Sequence, residues 1–212
     1  MSCCERAWLG TFILTECWRY TMILLLAFLF YGVILLISVG GAWLFGDFSW
    51  WFPPRSWQGI GIDVGIGVGG GLILVLISLW MTRTFSWGKS LAEEFAVVLG
   101  PLKWWEILGL ALLSGICEEA LFRAALLPHI GLFASSVLFA LAHVGRKKFF
   151  LGWTAFAFVF GLIAGSLFQW RLGLLLPATL HITVNLINLY WITRFYAPKD
   201  QQLPPLRMQV LP

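Results

Sequence analysis

The stretch 107-ILGLALLSGICEEALFRAALLP-128 decides what kind of fold this chain adopts. It is apolar for long enough to cross a hydrocarbon core, since about 20 residues of helix span about 30 Å. Yet it carries Glu118, Glu119 and Arg123. Ionisable side chains at that depth are costly unless they are paired or hydrated, so they mark candidate functional sites. The stretch therefore predicts a membrane-spanning helix that carries reactive groups.

The rest of the chain has the same apolar character. Of its 212 residues, 60% are hydrophobic and 11% are charged, which leaves too little polar surface for a soluble globule. We predict an all-α, polytopic transmembrane helical bundle of about six spans, which integrates the chain into a membrane. The predicted spans lie near residues 20–45, 62–82, 107–128, 130–145, 149–169 and 172–193.

The distribution of lysine and arginine predicts the orientation of this bundle, because basic residues in short loops favour the cytoplasmic side. With six spans and a cytoplasmic N-terminus, eleven of the fourteen basic residues fall on that side. They are Arg6, Arg19, Arg83, Lys89, Lys103, Arg146, Lys147, Lys148, Arg194, Lys199 and Arg207. Both termini are therefore predicted to be cytoplasmic. The net charge of +4 follows from this topology and needs no nucleic-acid partner.

Three regions are predicted along the chain. Residues 1–89 form an N-terminal interfacial segment and two packing spans. Residues 90–195 form the core, which the resemblance given below implies to be catalytic, and residues 196–212 form a flexible cytoplasmic tail rich in proline and polar residues. A short amphipathic helix is predicted at residues 91–99, on the cytoplasmic side.

A glycine-rich run, 59-GIGIDVGIGVGGG-71, lies in the second predicted span. It contains a formal GxGxxG pattern, but no strand precedes it, so a nucleotide-binding loop is not indicated. Small residues four apart permit close packing of helices in lipid. Gly65 with Gly69, and Gly67 with Gly71, therefore permit a neighbouring helix to approach closely.

The charged residues of the third span divide into a pair and a single carboxylate. Glu119 and Arg123 are four residues apart, so they share a helix face with the acid nearer the N-terminus, the favourable order for an ion pair. Glu118 points about 100° away and has no local partner. It is therefore our candidate general base, and Glu119 supports it. The alternative is that both acids only balance charge in helix packing.

Two later segments carry polar groups in similar settings. In 136-SVLFALAHVG-145, His143 follows Phe139 by one turn, and in 176-LPATLHITVNLINLY-190, His181 and Asn185 share a face. Two such side chains could donate hydrogen bonds to an oxyanion. The alternative is polar contact between helices, which we favour for Asn188.

The depths of these groups differ along the predicted spans. Glu118 lies about 18 Å from Glu106, whereas His143 lies only about 5 Å from Arg146, at 1.5 Å per helical residue. The fourth span must therefore tilt, start deep, or line a water-filled funnel from the cytoplasm for the groups to meet.

The three motifs EExxxR (Glu118, Glu119, Arg123), FxxxH (Phe139, His143) and HxxxN (His181, Asn185) follow one another on apolar segments. In this order they resemble the CPBP family of CAAX proteases and bacteriocin-processing enzymes, over about residues 90–195. The resemblance implies an intramembrane endopeptidase in which the first Glu and the FxxxH histidine activate water and the HxxxN pair stabilises the oxyanion. It also implies a membrane-associated or prenylated protein, or a bacteriocin-like peptide, as substrate, membrane lipids as surroundings, and the plasma (inner) membrane of a bacterium as location.

Two questions stay open at the level of sequence. Two histidines and a glutamate could bind zinc, but HExxH is missing, so we favour a glutamate mechanism without a cofactor and keep a zinc metalloprotease as the alternative. A protein with this fold could also bind a peptide without cutting it, as a membrane peptide-binding or bacteriocin self-immunity protein. A transporter is disfavoured because the chain shows no repeated halves.

Overall fold

The computed structural model describes residues 11–45, 48, 51 and 53–196, and the regular structure within them is helical. Apolar stretches form helices because a helix pairs its backbone N–H and C=O groups internally, as lipid requires. In chain order the elements are α1 (Thr11–Phe45), α2 (Trp57–Thr84), α3 (Ser86–Leu99), α4 (Trp104–Glu119), a π-helical segment (Ala120–Leu126), α5 (Leu127–Leu141), α6 (Phe150–Arg171) and α7 (Leu175–Phe195). The predicted tail, except residue 196, lies outside the described residues.

Several helical stretches are long and apolar enough to cross a membrane. Within the described residues there are five, Leu24–Leu44, Trp57–Thr84, Trp104–Leu141, Phe150–Arg171 and Leu175–Phe195. Large apolar side chains are exposed along them, such as Leu36 at 72% and Leu76 at 67%, as expected where lipid is the solvent. The chain is thus an integral membrane protein, and the predicted all-α transmembrane fold class is confirmed. The side on which each terminus lies stays a prediction.

Five such stretches lie in the described part of the chain, where the sequence predicts six spans, because the predicted fourth span is short. The stretch Trp104–Leu141 is broken at Gly131, whose φ of 81° and ψ of 167° are not helical. Ser135 Oγ donates to the Phe122 carbonyl at 2.6 Å, although a straight helix would hold these residues about 20 Å apart. The chain therefore reverses at Gly131. The returning arm, residues 132–141, is about 15 Å long and cannot cross the bilayer alone.

The returning arm of α5 packs along the middle of α6. Leu132 lies against Gly165, toward the C-terminal end of α6, and Ser136 lies against Gly161, one turn earlier. Thr154 Oγ1, near the start of α6, donates to the His143 carbonyl at 3.1 Å. The arm therefore starts deep, which is one of the ways in which His143 was expected to reach the other groups.

Glycines allow α2 and α7 to approach closely. A Cβ at Gly67 would lie 2.8 Å from Thr179 Cβ, and one at Gly71 would lie 2.7 Å from Thr183 Cβ, so both positions are too close for a side chain. A Cβ at Gly65 or Gly69 would meet open space, so the close approach that these two glycines permit is not used there. Gly67 and Gly71 therefore face α7, whereas Gly65 and Gly69, also spaced by four, lie on another face of α2. Ser78 Oγ donates to Asn188 Oδ1 at 2.8 Å further along, the interhelical contact expected for that asparagine.

The short helix α3 packs across one end of the bundle. It is longer than the predicted 91–99 helix and buries Gly88, Ala92 and Ala96. Phe95 contacts Trp153 of α6 at 5.0 Å between ring centroids, and Glu94 accepts from Lys147 Nζ at 2.6 Å. The loop that carries His143 is therefore held beside α3. The predicted region boundary at residues 89 and 90 falls within this helix, and the division into regions stays a prediction.

A buried acid joins elements at the other end of α2. Asp63 is 1% exposed, accepts from Arg171 Nε at 2.5 Å and lies 3.0 Å from Arg55 Nε. Arg55 also donates to the Arg171 carbonyl. These contacts tie the segment before α2 to the end of α6.

Candidate active site

The two glutamates stand at the end of α4, where the helix changes to π geometry. Glu119 Oε2 lies 3.1 Å from Arg123 Nε, and both side chains are buried. The guanidinium lies over the Phe139 ring, with 4.5 Å from Cζ to the ring centroid. The predicted ion pair is therefore present, and Phe139 covers it. The π-helical segment was not predicted; π-turns are frequent at functional sites.

Glu119 also holds His181, one of the two histidines of the site. Its Oε1 lies 2.7 Å from His181 Nδ1 on α7. Because an ionised carboxylate only accepts hydrogen bonds, Nδ1 of His181 carries the proton. Phe160 contacts the same ring, with 4.8 Å between centroids. The orientation of His181 is thus fixed by an acid on one side and an aromatic ring on the other.

A backbone carbonyl holds the second histidine. His143 Nδ1 lies 2.7 Å from the Phe139 carbonyl, so Nδ1 is again the protonated nitrogen. Phe139 and Trp153 pack against the ring, with centroid distances of 4.5 and 4.9 Å. Burial lowers the pKa of His143 below the ordinary value of 6.5, which the charge of Glu118 partly offsets. A neutral ring held in this way has its lone pair on Nε2.

These groups converge on one oxygen of Glu118. Its Oε2 lies 3.8 Å from His143 Nε2 and 3.9 Å from His181 Nε2. Both distances are too long for a direct hydrogen bond. Among the described residues no group bonds to this oxygen, which is buried. Side chains from α4, α7 and the loop after α5 thus face one another around a single carboxylate oxygen.

Asn185 lies one turn further along α7 and bonds to a different residue. Its Nδ2 donates to Ser114 Oγ at 2.7 Å, and Ser114 stands one turn before Glu118 on α4. Ser114 Oγ in turn donates to the Leu110 carbonyl at 2.8 Å. Asn185 is therefore oriented along the same seam between α4 and α7, one turn from the histidines.

The sequence did not identify two residues that contact the site. Tyr31 on α1 donates from Oη to Glu118 Oε1 at 3.0 Å. No local spacing could reveal this contact, because 87 residues separate the pair. Ser114 was within reach of sequence reasoning, since it is four residues before Glu118 and so shares its face.

The arrangement of the acidic and imidazole side chains bears on whether the site can hold a metal ion. Within the described part of the chain, no group of three or more His, Cys, Asp or Glu side chains is arranged so that it could hold one. The three atoms that face each other, Glu118 Oε2 and the two Nε2 atoms, are those that the zinc alternative would use. We derive no step through a metal from this arrangement.

Comparison with known proteins gives a family for the segment that carries the site. Residues 100–187 match the family model described as "Type II CAAX prenyl endopeptidase Rce1-like". The chain is also 34% identical, over 84 residues, to the uncharacterized protein YpbD of Bacillus subtilis (strain 168). That alignment covers 38% of this chain and 42% of YpbD, less than half of either protein. No solved structure gives a significant match.

The matched segment runs from just before α4 into α7 and includes the EExxxR, FxxxH and HxxxN motifs. The resemblance expected from those motifs is confirmed. Residues 100–187, less than half of the chain, are similar to the Rce1-like CAAX prenyl endopeptidases of the CPBP family.

Proposed function

We propose that this protein is an intramembrane endopeptidase that hydrolyses a peptide bond with a water molecule activated by Glu118 and His143. The observation that carries the proposal is the position of Glu118 Oε2, 3.8 Å from His143 Nε2 and 3.9 Å from His181 Nε2. Carboxylate and imidazole groups are the commonest general bases, and here both face the same point with their free atoms.

The first step is the attack of water on the scissile carbonyl. A water beside Glu118 Oε2 and His143 Nε2 donates one hydrogen bond to each atom. Glu118 takes a proton as the water oxygen bonds to the carbonyl carbon, while the lone pair of His143 orients the water. The carbonyl π electrons move to its oxygen and form an oxyanion. When the C–N bond then breaks, the proton on Glu118 passes to the leaving amine.

His181 and Asn185 stabilise the oxyanion. His181 Nδ1 is held by Glu119, so Nε2 is the ring atom that faces the oxyanion, and it donates there when both ring nitrogens carry a proton. Asn185 has a second N–H besides the one that bonds to Ser114. Each such donor contributes roughly 3–4 kcal/mol in well-studied enzymes.

The proposed substrates are membrane-associated or prenylated CAAX-type proteins, or bacteriocin-like peptides. The description of the matched family supports the first class. The membrane-embedded position of the site supports a substrate that is itself held at the membrane. We place the protein in a bacterial plasma membrane, which a Bacillus relative supports.

The test is an assay of purified, detergent-solubilised protein with internally quenched peptides that end in a CAAX sequence, farnesylated or not. We expect Glu118-dependent cleavage, detected by fluorescence and by the product masses. Glu118→Gln should slow it by roughly 10²- to 10⁴-fold. Glu93→Gln, which alters an exposed pair with Lys89, should leave it unchanged. Equal signals from wild type and Glu118→Gln would contradict the proposal. Tight peptide binding without cleavage would favour the non-catalytic peptide-binding or self-immunity alternative.

Metal dependence is tested on the same sample. We propose a mechanism without a cofactor, so elemental analysis should find no stoichiometric zinc, and chelator treatment should leave the cleavage rate unchanged. Stoichiometric zinc that is lost in His143→Ala would instead favour the metalloprotease mechanism.

A further inference from the structure

We propose that Tyr31 is a positioning residue for Glu118, so that the catalytic site of this chain is completed by α1; this inference rests on the proposed function. Tyr31 Oη donates to Glu118 Oε1 at 3.0 Å. The other oxygen, Oε2, faces both histidines. The phenol therefore determines which carboxylate oxygen is presented to water.

The need for such a contact follows from the flexibility of a glutamate. The terminal torsion of Glu is broad, so the carboxylate plane is poorly fixed by the side chain itself. Within the described residues, the Tyr31 hydroxyl is the hydrogen-bond donor to Glu118. Without it, either oxygen can turn toward or away from the imidazoles.

A common arrangement of the three reactive groups supports this role. His143 is held at Nδ1 by the Phe139 carbonyl, and His181 is held at Nδ1 by Glu119. Glu118 is held at Oε1 by Tyr31. Each group is thus fixed at its far atom, and the near atoms, two Nε2 and one Oε2, remain for substrate and water.

The packing of α1 shows that Tyr31 is directed inward by the helix. Residues 31, 35, 38 and 42 are spaced by four, three and four, which places them on one face. Ser38 and Ala42 are buried, and Leu35 packs on the cluster that contains Ala120 and Ala124. The rest of α1 is largely exposed, since only 6% of the most apolar part of Leu24–Leu44 is buried. Tyr31 therefore lies on the face that contacts α4 and the π-helical segment.

The contact joins two parts of the chain that the family match separates. The family match begins at residue 100, so α1 lies outside it. A residue from the unmatched N-terminal part thus reaches the acid of the matched segment. Displacement of α1 would release the Glu118 carboxylate without any change in the matched segment.

The first measurement is the kinetics of Tyr31→Phe, which keeps the ring and removes the hydroxyl. We expect kcat to fall about 10- to 100-fold, the effect of losing a hydrogen bond to a charged group. KM should stay within about twofold, because the side chain does not meet the peptide. A change confined to kcat separates a positioning role from a role in peptide binding. The matched control is Tyr190→Phe, at a 53% exposed position on α7.

A second measurement tests the contact without using activity. Unfolding temperatures in detergent are compared for Tyr31→Phe, Glu118→Gln and the double variant. Coupled residues give a double-variant shift that differs from the sum of the single shifts. Additive shifts would overturn the proposed contact. Coupled shifts with an unchanged kcat, or with a raised KM in place of a lowered kcat, would overturn the positioning role. If the wild-type protein shows no Glu118-dependent cleavage, the proposed function is contradicted, and so is the effect of Tyr31 on catalysis. The comparison of unfolding temperatures still tests the contact between Tyr31 and Glu118.

Discussion

At the scale of single residues, the candidate site combines contacts that are local in sequence with contacts that are not. The Glu119–Arg123 pair was predictable because i and i+4 share a helix face. The Glu119–His181 bond joins residues 62 apart, and the Tyr31–Glu118 bond joins residues 87 apart. Helical spacing gives no information about which faces of separate helices meet. The motifs therefore predicted which residues are special, and only the packing shows which atoms face each other.

Glu119 should matter more for stability than Glu118. Glu119→Gln leaves the buried Arg123 guanidinium without its compensating charge, and loss of one partner in a buried pair costs about 3–5 kcal/mol. We expect a correspondingly lower free energy of unfolding, measured by denaturant titration in detergent. Glu118→Gln, which leaves that pair intact, should cost much less. Equal losses from the two variants would contradict the distinct roles assigned to these neighbours.

The pH dependence of cleavage should reflect the lowered pKa of His143. The neutral ring accepts a hydrogen bond from water at Nε2, whereas the protonated ring cannot. Activity should therefore persist as pH falls to 6.5 and be lost only at lower pH. Trp153→Ala exposes the His143 ring to water, so the pH at which activity is lost should rise toward 6.5. A wild-type midpoint above 6.5 for kcat/KM would count against a neutral, buried His143.

At the scale of helices, five of the six predicted spans agree with long helices of the structure, and the predicted fourth span, residues 130–145, does not. Residues 130–145 are apolar, so composition alone indicates a span. What shortens the arm is the backbone reversal at Gly131, a conformation with φ of 81° that glycine adopts readily. The π-helical segment also has no composition signal. Both features lie beside the site, where local rules and the requirements of function often differ.

The seam between α2 and α7 gives a matched pair of glycine variants. In Gly71→Ala the new Cβ would meet Thr183 Cβ at 2.7 Å, so we expect a loss of about 1–3 kcal/mol in unfolding free energy from overpacking. In Gly69→Ala the Cβ meets open space, so the better helix propensity of alanine should leave stability unchanged or slightly raised. Thermal unfolding in detergent measures both. The reverse ranking would mean that the other face of α2 contacts α7.

At the scale of the whole molecule, charge distribution predicted an orientation that the fold can accommodate. The Lys147–Glu94 contact brings the loop after α5 and helix α3 to one end of the bundle. The cluster of Arg55, Asp63 and Arg171 lies at the other end of α2. The positive-inside rule predicts that the first end is cytoplasmic.

Thiol labelling of single-cysteine variants in intact cells tests this orientation. With the native cysteines replaced by serine, a membrane-impermeant maleimide should label Trp57→Cys, at an 88% exposed position. Lys148→Cys should be labelled only after the cells are permeabilised. The opposite pattern would invert the topology, and labelling of both variants from outside would contradict the arrangement of the two ends.

The central claim is that Glu118 activates water between two imidazoles, and single-turnover cleavage in H₂¹⁸O measures this most directly. The peptide cleaved by the wild-type protein is used, with mass spectrometry of the new carboxyl group. We predict that the wild type incorporates ¹⁸O and that Glu118→Gln is slower by roughly 10²- to 10⁴-fold with its fold intact, the usual contribution of a general base. Incorporation by Glu118→Gln at the wild-type rate would contradict the claim.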